Sequence, residues 1–170
     1  RIIKNGWCQV LGSDSHDGAY GITMGSDGSI YIAGYTHGDL DGNSNRSRIY
    51  VSDGFLSKYD IDGNKKWTST FGSGFGDWAN KITAGDDSSI YVVGKAYGAF
   101  DEPERGAGTS FLRKYDDLGN HQWTQRFGAG EAKGVATGID GSIYISGITN
   151  IGIDQKTDPF LSKFDTDGNE

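Results

Sequence analysis

The sequence predicts an all-β protein, and more narrowly a β-propeller built of four-stranded antiparallel blades. Three observations lead to this prediction. A segment of the form Phe-Leu-x-Lys-aromatic-Asp is written three times along the 170 residues. Each copy follows a short apolar segment that contains Ile-Tyr and precedes a Gly-Asn turn. No stretch shows the 3.6-residue periodicity of a helix, so the repeat indicates short strands stacked in similar units.

The first strand of each unit begins with Asp-x-Ala, at Asp17 and Asp77, and the third copy begins more loosely at Glu131. Small residues and glycines follow, which suits an innermost strand that packs closely against its neighbours. Because the aspartate recurs, we expect it to accept hydrogen bonds from the amides of a nearby loop.

The second strand is rich in β-branched and aromatic residues and is bounded by Asp-Gly or Asp-Ser turns. Its copies are residues 29–34, 89–94 and 142–147. Apolar side chains alternate to both sides, which predicts that both faces of the sheet are buried.

The third strand carries the repeated lysine, and a Gly-Asn hairpin turn leads from it to an outer strand that starts at a tryptophan. A residue present in every unit is expected to serve the fold of the unit, so we predict that each lysine pairs with a neighbouring carboxylate. The tryptophans are expected to pack between blades. The lysines are Lys58, Lys114 and Lys163, and the tryptophans are Trp67 and Trp123, with Trp7 as the remnant of an earlier copy.

These strands divide the chain into three blade equivalents in circularly permuted order. Residues 1–11 are predicted to be the outer strand of a preceding or partner blade, 12–71 the first blade, 72–127 the second, and 128–170 a third blade without its outer strand. Closed propellers have typically 4–8 blades. Further blades are therefore expected, either from a longer chain, which the end at Glu170 just before the next tryptophan favours, or from a second copy that completes a six-bladed ring.

Composition excludes several classes of function. The formal net charge is −7, so a nucleic-acid partner is not expected, because phosphate binding needs a basic surface. No apolar run approaches the roughly 20 residues of a membrane helix, so membrane insertion is not expected either. The single cysteine, Cys8, rules out a disulfide within the chain.

The joint pattern resembles the SBBP type of bacterial β-propeller repeat. The matching pieces are Gly-Ser-Ile-Tyr-Ile-x-Gly-x-Thr at residues 28–36 and 141–149, the lysine strand, and Gly-Asn-x-x-Trp-Thr-x-x-Phe-Gly at residues 119–128. The resemblance runs from about Trp7 to Asn169. It implies a bacterial protein that is secreted or exposed at the cell surface, and it implies no defined chemistry.

The loops between the second and third strands differ between units, so they are the expected place for binding. Aromatic faces beside charged and amide groups suit a sugar, whose CH groups stack on the ring while polar atoms hold its hydroxyls. A solvated loop without a ligand is the alternative. The candidate ligand-binding residues are His37, Arg46, Arg48, Tyr50, Tyr97, Phe100, Asp101 and Arg105.

One of these loops also suggests a metal site. Oxygen-bearing side chains alternate along Asp39, Asp41, Asn43 and Asn45, as they do in calcium loops, although Ser44 stands where an EF-hand has glycine. Calcium is the only cofactor that the pattern suggests. The similar segments at Asp60 and Asp165 are expected to be hairpin turns instead.

The predicted function is that of a non-catalytic, extracellular binding or scaffold module whose partner is a carbohydrate or a protein. The first alternative is a purely structural element, a spacer or self-assembling surface component without a small ligand. A polysaccharide-active enzyme is the third possibility and is not favoured, because the three histidines form no metal motif and no nucleophile or phosphate-binding motif is present.

Overall fold

The computed structural model describes residues 6–42, 51–98, 100, 105–150 and 156–170, and none of these residues lies in a helix. The described chain forms ten strands, so the predicted all-β class is confirmed. The strands are β1 (Asp17–Met24), β2 (Ile30–Thr36), β3 (Asp53–Tyr59), β4 (Lys65–Phe71), β5 (Asp77–Ala84), β6 (Ile90–Gly98), β7 (Arg105–Tyr115), β8 (His121–Thr137), β9 (Ile143–Asn150) and β10 (Thr157–Phe164). The sequence predicted an outer strand over residues 1–11; of these, residues 6–11 are described and are not in a strand.

All neighbouring strands are antiparallel and lie in sequence order. Strands β1 to β4 form one sheet, and β5 to β10 form a six-stranded second sheet. The long strand β8 joins two repeats in that second sheet: its first half pairs with β7, and its second half, from Gly130 onward, pairs with β9.

In two of the three repeats, the repeated aspartate of the first strand accepts hydrogen bonds from the loop that precedes this strand. The carboxylate of Asp77 accepts hydrogen bonds from the backbone N–H of Ser73 at 2.7 Å and from its hydroxyl at 2.9 Å. Asp17 accepts the same pair from Ser13, at 2.6 Å from the N–H and 3.0 Å from the hydroxyl. The expectation that these aspartates bond loop amides is therefore confirmed.

The third junction is built differently because it is shorter. Glu131 follows Phe127 by four positions, whereas Asp77 follows Phe71 by six. The shorter segment leaves no room for the serine loop, so the backbone passes through Gly128 and Gly130 as one uninterrupted strand.

A bulge at the same place in each inner strand explains the glycine at the fifth position of each second strand. The register between the first two strands shifts after Ala19, Ala79 and Ala132. At this point the strands approach so closely that a Cβ would collide with a carbonyl of the partner strand. The colliding pairs are Gly34 with Gly18, Gly94 with Trp78, and Gly147 with Glu131.

Each repeated lysine pairs with an aspartate of the β1–β2-type turn in its own repeat, as predicted. The Nζ–Oδ2 distances are 3.1 Å for Lys58–Asp27, 3.2 Å for Lys114–Asp87 and 3.5 Å for Lys163–Asp140. The first two lysines also donate to a carbonyl oxygen of the next repeat, that of Asp117 at 3.0 Å and that of Thr166 at 3.2 Å. The pair thus also connects consecutive repeats.

The Gly-Asn segments are hairpin turns, as expected. The carboxylate of Asp60 accepts hydrogen bonds from the N–H groups of Asp62 at 3.0 Å and Asn64 at 2.8 Å. Gly63 lies at φ +86°, a conformation that glycine adopts without strain.

The hydrophobic core lies between repeats rather than inside one sheet. Tyr31, Ala33 and Leu56 of the first repeat pack against Ile90 and Val92 of the second. The alternate residues of the second repeat pack on the third: Tyr91, Val93 and Leu112 meet Ile143, Ile145 and Phe164. Both faces of the second repeat are therefore buried, as the alternation predicted.

The two outward faces of this stack keep the same apolar pattern and are only partly covered: Trp7, Val10 and Leu11 lie beside Ile22, Ile30 and Ile32 on one of them. Ile22 is 71% exposed, although Ile82 at the same place in the second repeat is 6% exposed. Leu161 is 75% exposed, although Leu112 is fully buried. We name the side with Ile22, Ile30 and Ile32 the front face and the side with Leu161 the back face.

Candidate functional site

An aromatic cleft lies where the connections between β2 and β3 and between β4 and β5 meet. Because neighbouring strands are antiparallel, every second connection lies at the same end of the sheets. These two connections therefore share one end with the connection that follows β6. The cleft has a volume of about 380 Å³, within the usual range for small-molecule sites. Its lining residues are His37, Val51, Ser52, Phe75, Gly76, Trp78 and Tyr97.

One wall of the aromatic cleft comes from the first repeat. His37 follows the last residue of β2, and its backbone N–H donates to the carbonyl of His16 at 2.9 Å. The imidazole packs edge-on against Tyr35, with ring centroids 5.4 Å apart. The ring of His37 is therefore held in place at the edge of the cleft, where its nitrogens can exchange hydrogen bonds with a ligand.

The opposite wall comes from the second repeat. Trp78 and Tyr97 pack edge-to-face with centroids 5.8 Å apart, and the N–H of Tyr97 donates to the carbonyl of Gly76 at 3.1 Å. The Lys95 ammonium lies 4.7 Å from the centre of the Tyr97 ring. These contacts fix two aromatic rings at a right angle without covering them fully, since both side chains keep part of their surface open.

Ser52 places a buried hydroxyl at the cleft. It is 1% exposed, and its Oγ has no hydrogen-bond partner among the residues that the structure describes. A buried polar atom without a partner is costly, by about 1–3 kcal/mol, and calls for an explanation such as a ligand or water.

Two buried carboxyl groups lie next to the cleft in sequence but do not line it. The N–H of Asp77 donates to the carbonyl of Ser52 at 2.8 Å, and both Asp77 and Asp53 are fully buried. Burial raises the pKa of Asp77 to about 7, and the Asp53 carboxylate adds to the rise, while the hydrogen bonds from Ser73 oppose it. Neither aspartate is among the residues that line the cleft.

Of the candidate ligand-binding residues, His37 and Tyr97 come together in this cleft. Phe100 lies elsewhere, packed edge-on against Phe71 and Phe111 with centroids 6.0 and 5.3 Å away. Arg105 is the first residue of β7. The remaining candidates, Arg46, Arg48, Tyr50 and Asp101, lie outside the described residues.

Of the candidate calcium ligands, Asp41 already has partners. Its carboxylate forms an ion pair with Lys65 and accepts a hydrogen bond from the Thr68 hydroxyl at 2.7 Å, and the Lys65 ammonium holds the pKa of Asp41 below its usual range. Asp39 is described, whereas Asn43 and Asn45 are not. Across the described ranges, no group of three or more His, Cys, Asp or Glu side chains is arranged to hold a metal ion.

The sequence-based prediction missed Trp78, Phe75 and Ser52. A signal for the first two was present: Trp78 stands where the first repeat has Gly18, and Phe75 stands where it has Ser15. Residues that differ between repeats are the expected place for binding, and both aromatic residues meet this criterion. They lie outside the loops between second and third strands, where the sequence-based prediction placed the site.

No protein-family model matches the chain. The chain is similar to the regulatory protein FlaEY of Caulobacter vibrioides, with 29% identity over 168 residues, which is 85% of this chain and 18% of that protein. It is also similar to the uncharacterized WD repeat-containing protein L264 of Acanthamoeba polyphaga mimivirus, with 26% identity over 181 residues, 83% of this chain and 13% of that protein. The chain therefore spans less than one fifth of either relative's length. Within the described residues, no helix is long and apolar enough to cross a membrane.

Proposed function

We propose that the chain is a non-catalytic binding module that takes a carbohydrate in the aromatic cleft. The observation that carries the proposal is the composition of the cleft: two rigid aromatic rings, Trp78 and Tyr97, line the same space as the imidazole of His37. A sugar meets both demands, because its CH groups stack on a ring while its hydroxyls satisfy polar atoms.

We further propose that the repeats are propeller blades. The proposal is supported by four-stranded antiparallel units, by a core that lies between units, and by similarity to a protein named for WD repeats, which build propellers. In this arrangement the front face and the back face each receive a further blade, from a longer chain or from a second copy. The sequence resemblance to SBBP repeats supports a secreted or surface-exposed bacterial setting.

A structural, self-assembling element is the second candidate function. The observation that favours it is the incomplete cover of the two apolar faces, where Ile22 and Leu161 are exposed although their equivalents are buried. An enzyme is supported less well, because Asp77, the acid with a pKa near 7, is sealed from the cleft.

A glycan array probed with the 170-residue chain tests the proposal. Binding to a defined group of glycans is expected, with affinity lowered roughly tenfold or more by Trp78→Ala or Tyr97→Ala, since a lost stacking surface removes on the order of 1.4 kcal/mol. Trp7→Ala is the matched control, since Trp7 is half-exposed and lies outside the cleft.

Two outcomes would contradict the proposal. A blank array together with ordered self-association would favour the structural element. Hydrolysis of a polysaccharide that a single carboxylate substitution abolishes would replace both candidates by an enzyme.

A further inference from the structure

One arginine of the seam between the first and second repeats has no counterpart in the other repeats. Arg113 lies between Leu112 and Lys114, and the same place holds Ser57 in the first repeat and Ser162 in the third. Arg113 is 7% exposed, so a permanent positive charge is buried where the fold of a repeat needs only serine. A buried charge is costly unless it pairs with an opposite charge. The presence of this arginine in the second repeat alone therefore needs an explanation.

The guanidinium is held rigidly but is only partly hydrogen-bonded. Its central carbon lies 4.7 Å from the centre of the Phe71 ring and 4.6 Å from that of Phe100. Its Nε donates to the Tyr115 hydroxyl at 2.9 Å. The two Nη groups donate to no residue that the structure describes, and no described carboxylate forms an ion pair with this arginine.

A polar pocket of about 240 Å³ adjoins this arginine. Besides Arg113, its lining includes the hydroxyl-bearing residues Ser69 and Thr70, the small Gly72, and His121. The pocket shares no lining residue with the aromatic cleft, so an inference drawn from it is independent of the proposed carbohydrate site.

A purely structural role for Arg113, as a counter-charge to Asp77, leaves part of this geometry unexplained. The positive charge of Arg113 acts on the buried Asp77 and opposes the rise of its pKa. Asp77 is nevertheless satisfied by Ser73, and an electrostatic effect on Asp77 requires neither two aromatic rings around the guanidinium nor a pocket beside it.

We propose that this pocket binds the carboxylate of a small organic acid, which Arg113 receives through its two Nη groups. The planar guanidinium presents two parallel N–H donors that match the two oxygens of a carboxylate. Phe71 and Phe100 fix the plane of that fork before the ligand arrives, and the hydroxyls of Ser69 and Thr70 offer further donors at the pocket wall.

The experiment is an NMR titration that follows the side-chain Nε–H of Arg113 and the backbone amides of Thr70 and Gly72 in the 170-residue chain. The probes are sodium acetate and sodium glucuronate at constant ionic strength, with glucose as the uncharged control and sodium phosphate as a competing anion. We expect saturable shifts with both carboxylates and none with glucose. Equal affinity for the two would show that the carboxylate alone is recognised, and tighter binding of glucuronate would show that the sugar ring adds contacts.

Substitutions distinguish bidentate binding by the guanidinium from nonspecific attraction to a positive charge. Arg113→Ser installs the residue of the other two repeats and is expected to lower affinity roughly tenfold or more; Arg113→Lys keeps the charge, loses the fork and is expected to lower it severalfold. Arg126→Ser is the matched control, because it removes the same charge from an exposed arginine of β8, and it should change affinity less than twofold. Near-ultraviolet circular dichroism verifies that each variant is folded.

Three results of the titrations would overturn the proposal: shifts that do not saturate, equal losses of affinity in the Arg113 and Arg126 variants, or tighter binding of phosphate than of either carboxylate. A fourth would be carboxylate binding that appears only after Asp101, Glu102 and Glu104 are neutralised together. These three acids follow Phe100 in the sequence. The last result would mean that the chain's own acidic side chains compete for Arg113 and leave no site for a free ligand.

Discussion

The indole of Trp67 packs against Gly119, the turn glycine of the following repeat, so closely that a Cβ on this glycine would lie 3.0 Å from the ring. The contact recurs along the chain, since Trp7 lies against Gly63 and Trp123 against Gly168. Each outer-strand tryptophan therefore rests on the hairpin turn of the next repeat, which places Trp7 in the same role although residues 6–12 form no strand.

Gly119→Ala is expected to destabilise the protein by about 2 kcal/mol. About half of this reflects a side chain at φ +87°, and the rest reflects displacement of the Trp67 ring. Gly28→Ala separates the two causes, because Gly28 lies at φ +79° with nothing within 4 Å of the added Cβ. Urea unfolding of both variants measures the difference, and equal losses would show that the tryptophan contact contributes nothing.

The buried Asp77 is expected to make the protein less stable as pH rises from about 4 to about 7. Its pKa in the folded state is raised to about 7, so in this range the folded chain holds a proton that the unfolded chain has released. The free energy of unfolding should fall across the window by on the order of 3 kcal/mol and then level off. Asp77→Asn should remove this fall, as urea unfolding at pH 4.5 and pH 7.5 would show.

Asp27→Asn provides the control of opposite sign. The hydrogen bond from the backbone N–H of Ser29 lowers the pKa of Asp27, with help from the Ser29 hydroxyl and Lys58. Its contribution to stability is therefore present above the ordinary carboxyl pKa and is lost as pH falls toward its own lowered pKa. Asp27→Asn should therefore change stability below about pH 4 and leave the fall between pH 4.5 and pH 7.5 in place. Loss of that fall in the Asp27→Asn variant would contradict the assignment for Asp77.

Lys58→Met is expected to cost about 1–3 kcal/mol, because it removes the charged donor 3.0 Å from the Asp117 carbonyl of the next repeat and leaves only the Tyr31 hydroxyl at 3.4 Å. Lys163→Met removes the same ion pair at the back face, where the lysine side chain is 57% exposed instead of 11%, and should leave stability unchanged. Thermal unfolding of the two variants compares them directly. Equal effects would mean that the lysine serves only its own repeat.

The front face is expected to make the isolated chain self-associate. Ile22→Glu places a charge on this face and should shift the mass measured by light scattering toward the monomer. Ile139→Glu, at a fully exposed isoleucine outside that face, is the matched control and should leave the mass unchanged. A monomeric wild-type chain would contradict the expectation that a second copy covers the front face, and a longer chain would then have to supply the further blade.

Features that recur in the sequence were predictable, because recurrence itself identifies them. The pairing of Lys58 with Asp27 and the hydrogen bonds from Ser73 to Asp77 follow from this rule. The continuous strand β8 was not anticipated, since its cause is a two-residue shortening before Glu131, whose effect depends on how much chain the serine loop requires.

The candidate site was predictable only in part. Position in the variable loops identified His37 and Tyr97 correctly as neighbours in space, but it also selected Phe100, which packs into the seam. Which loop residue turns toward the cleft and which toward the core depends on packing between repeats, and a single unit does not encode it.

The most direct test of the carbohydrate site uses the four tryptophans as internal references. Each indole N–H gives one signal in a nitrogen–proton NMR spectrum, and substitution of each tryptophan by phenylalanine assigns them. On titration with methyl glycosides of glucose, galactose and N-acetylglucosamine, we predict that at least one sugar shifts the Trp78 signal in a saturable way while those of Trp7, Trp67 and Trp123 stay in place. An unmoved Trp78 signal with all three sugars, or shifts spread over the other tryptophans, would contradict the assignment of the aromatic cleft as a carbohydrate site.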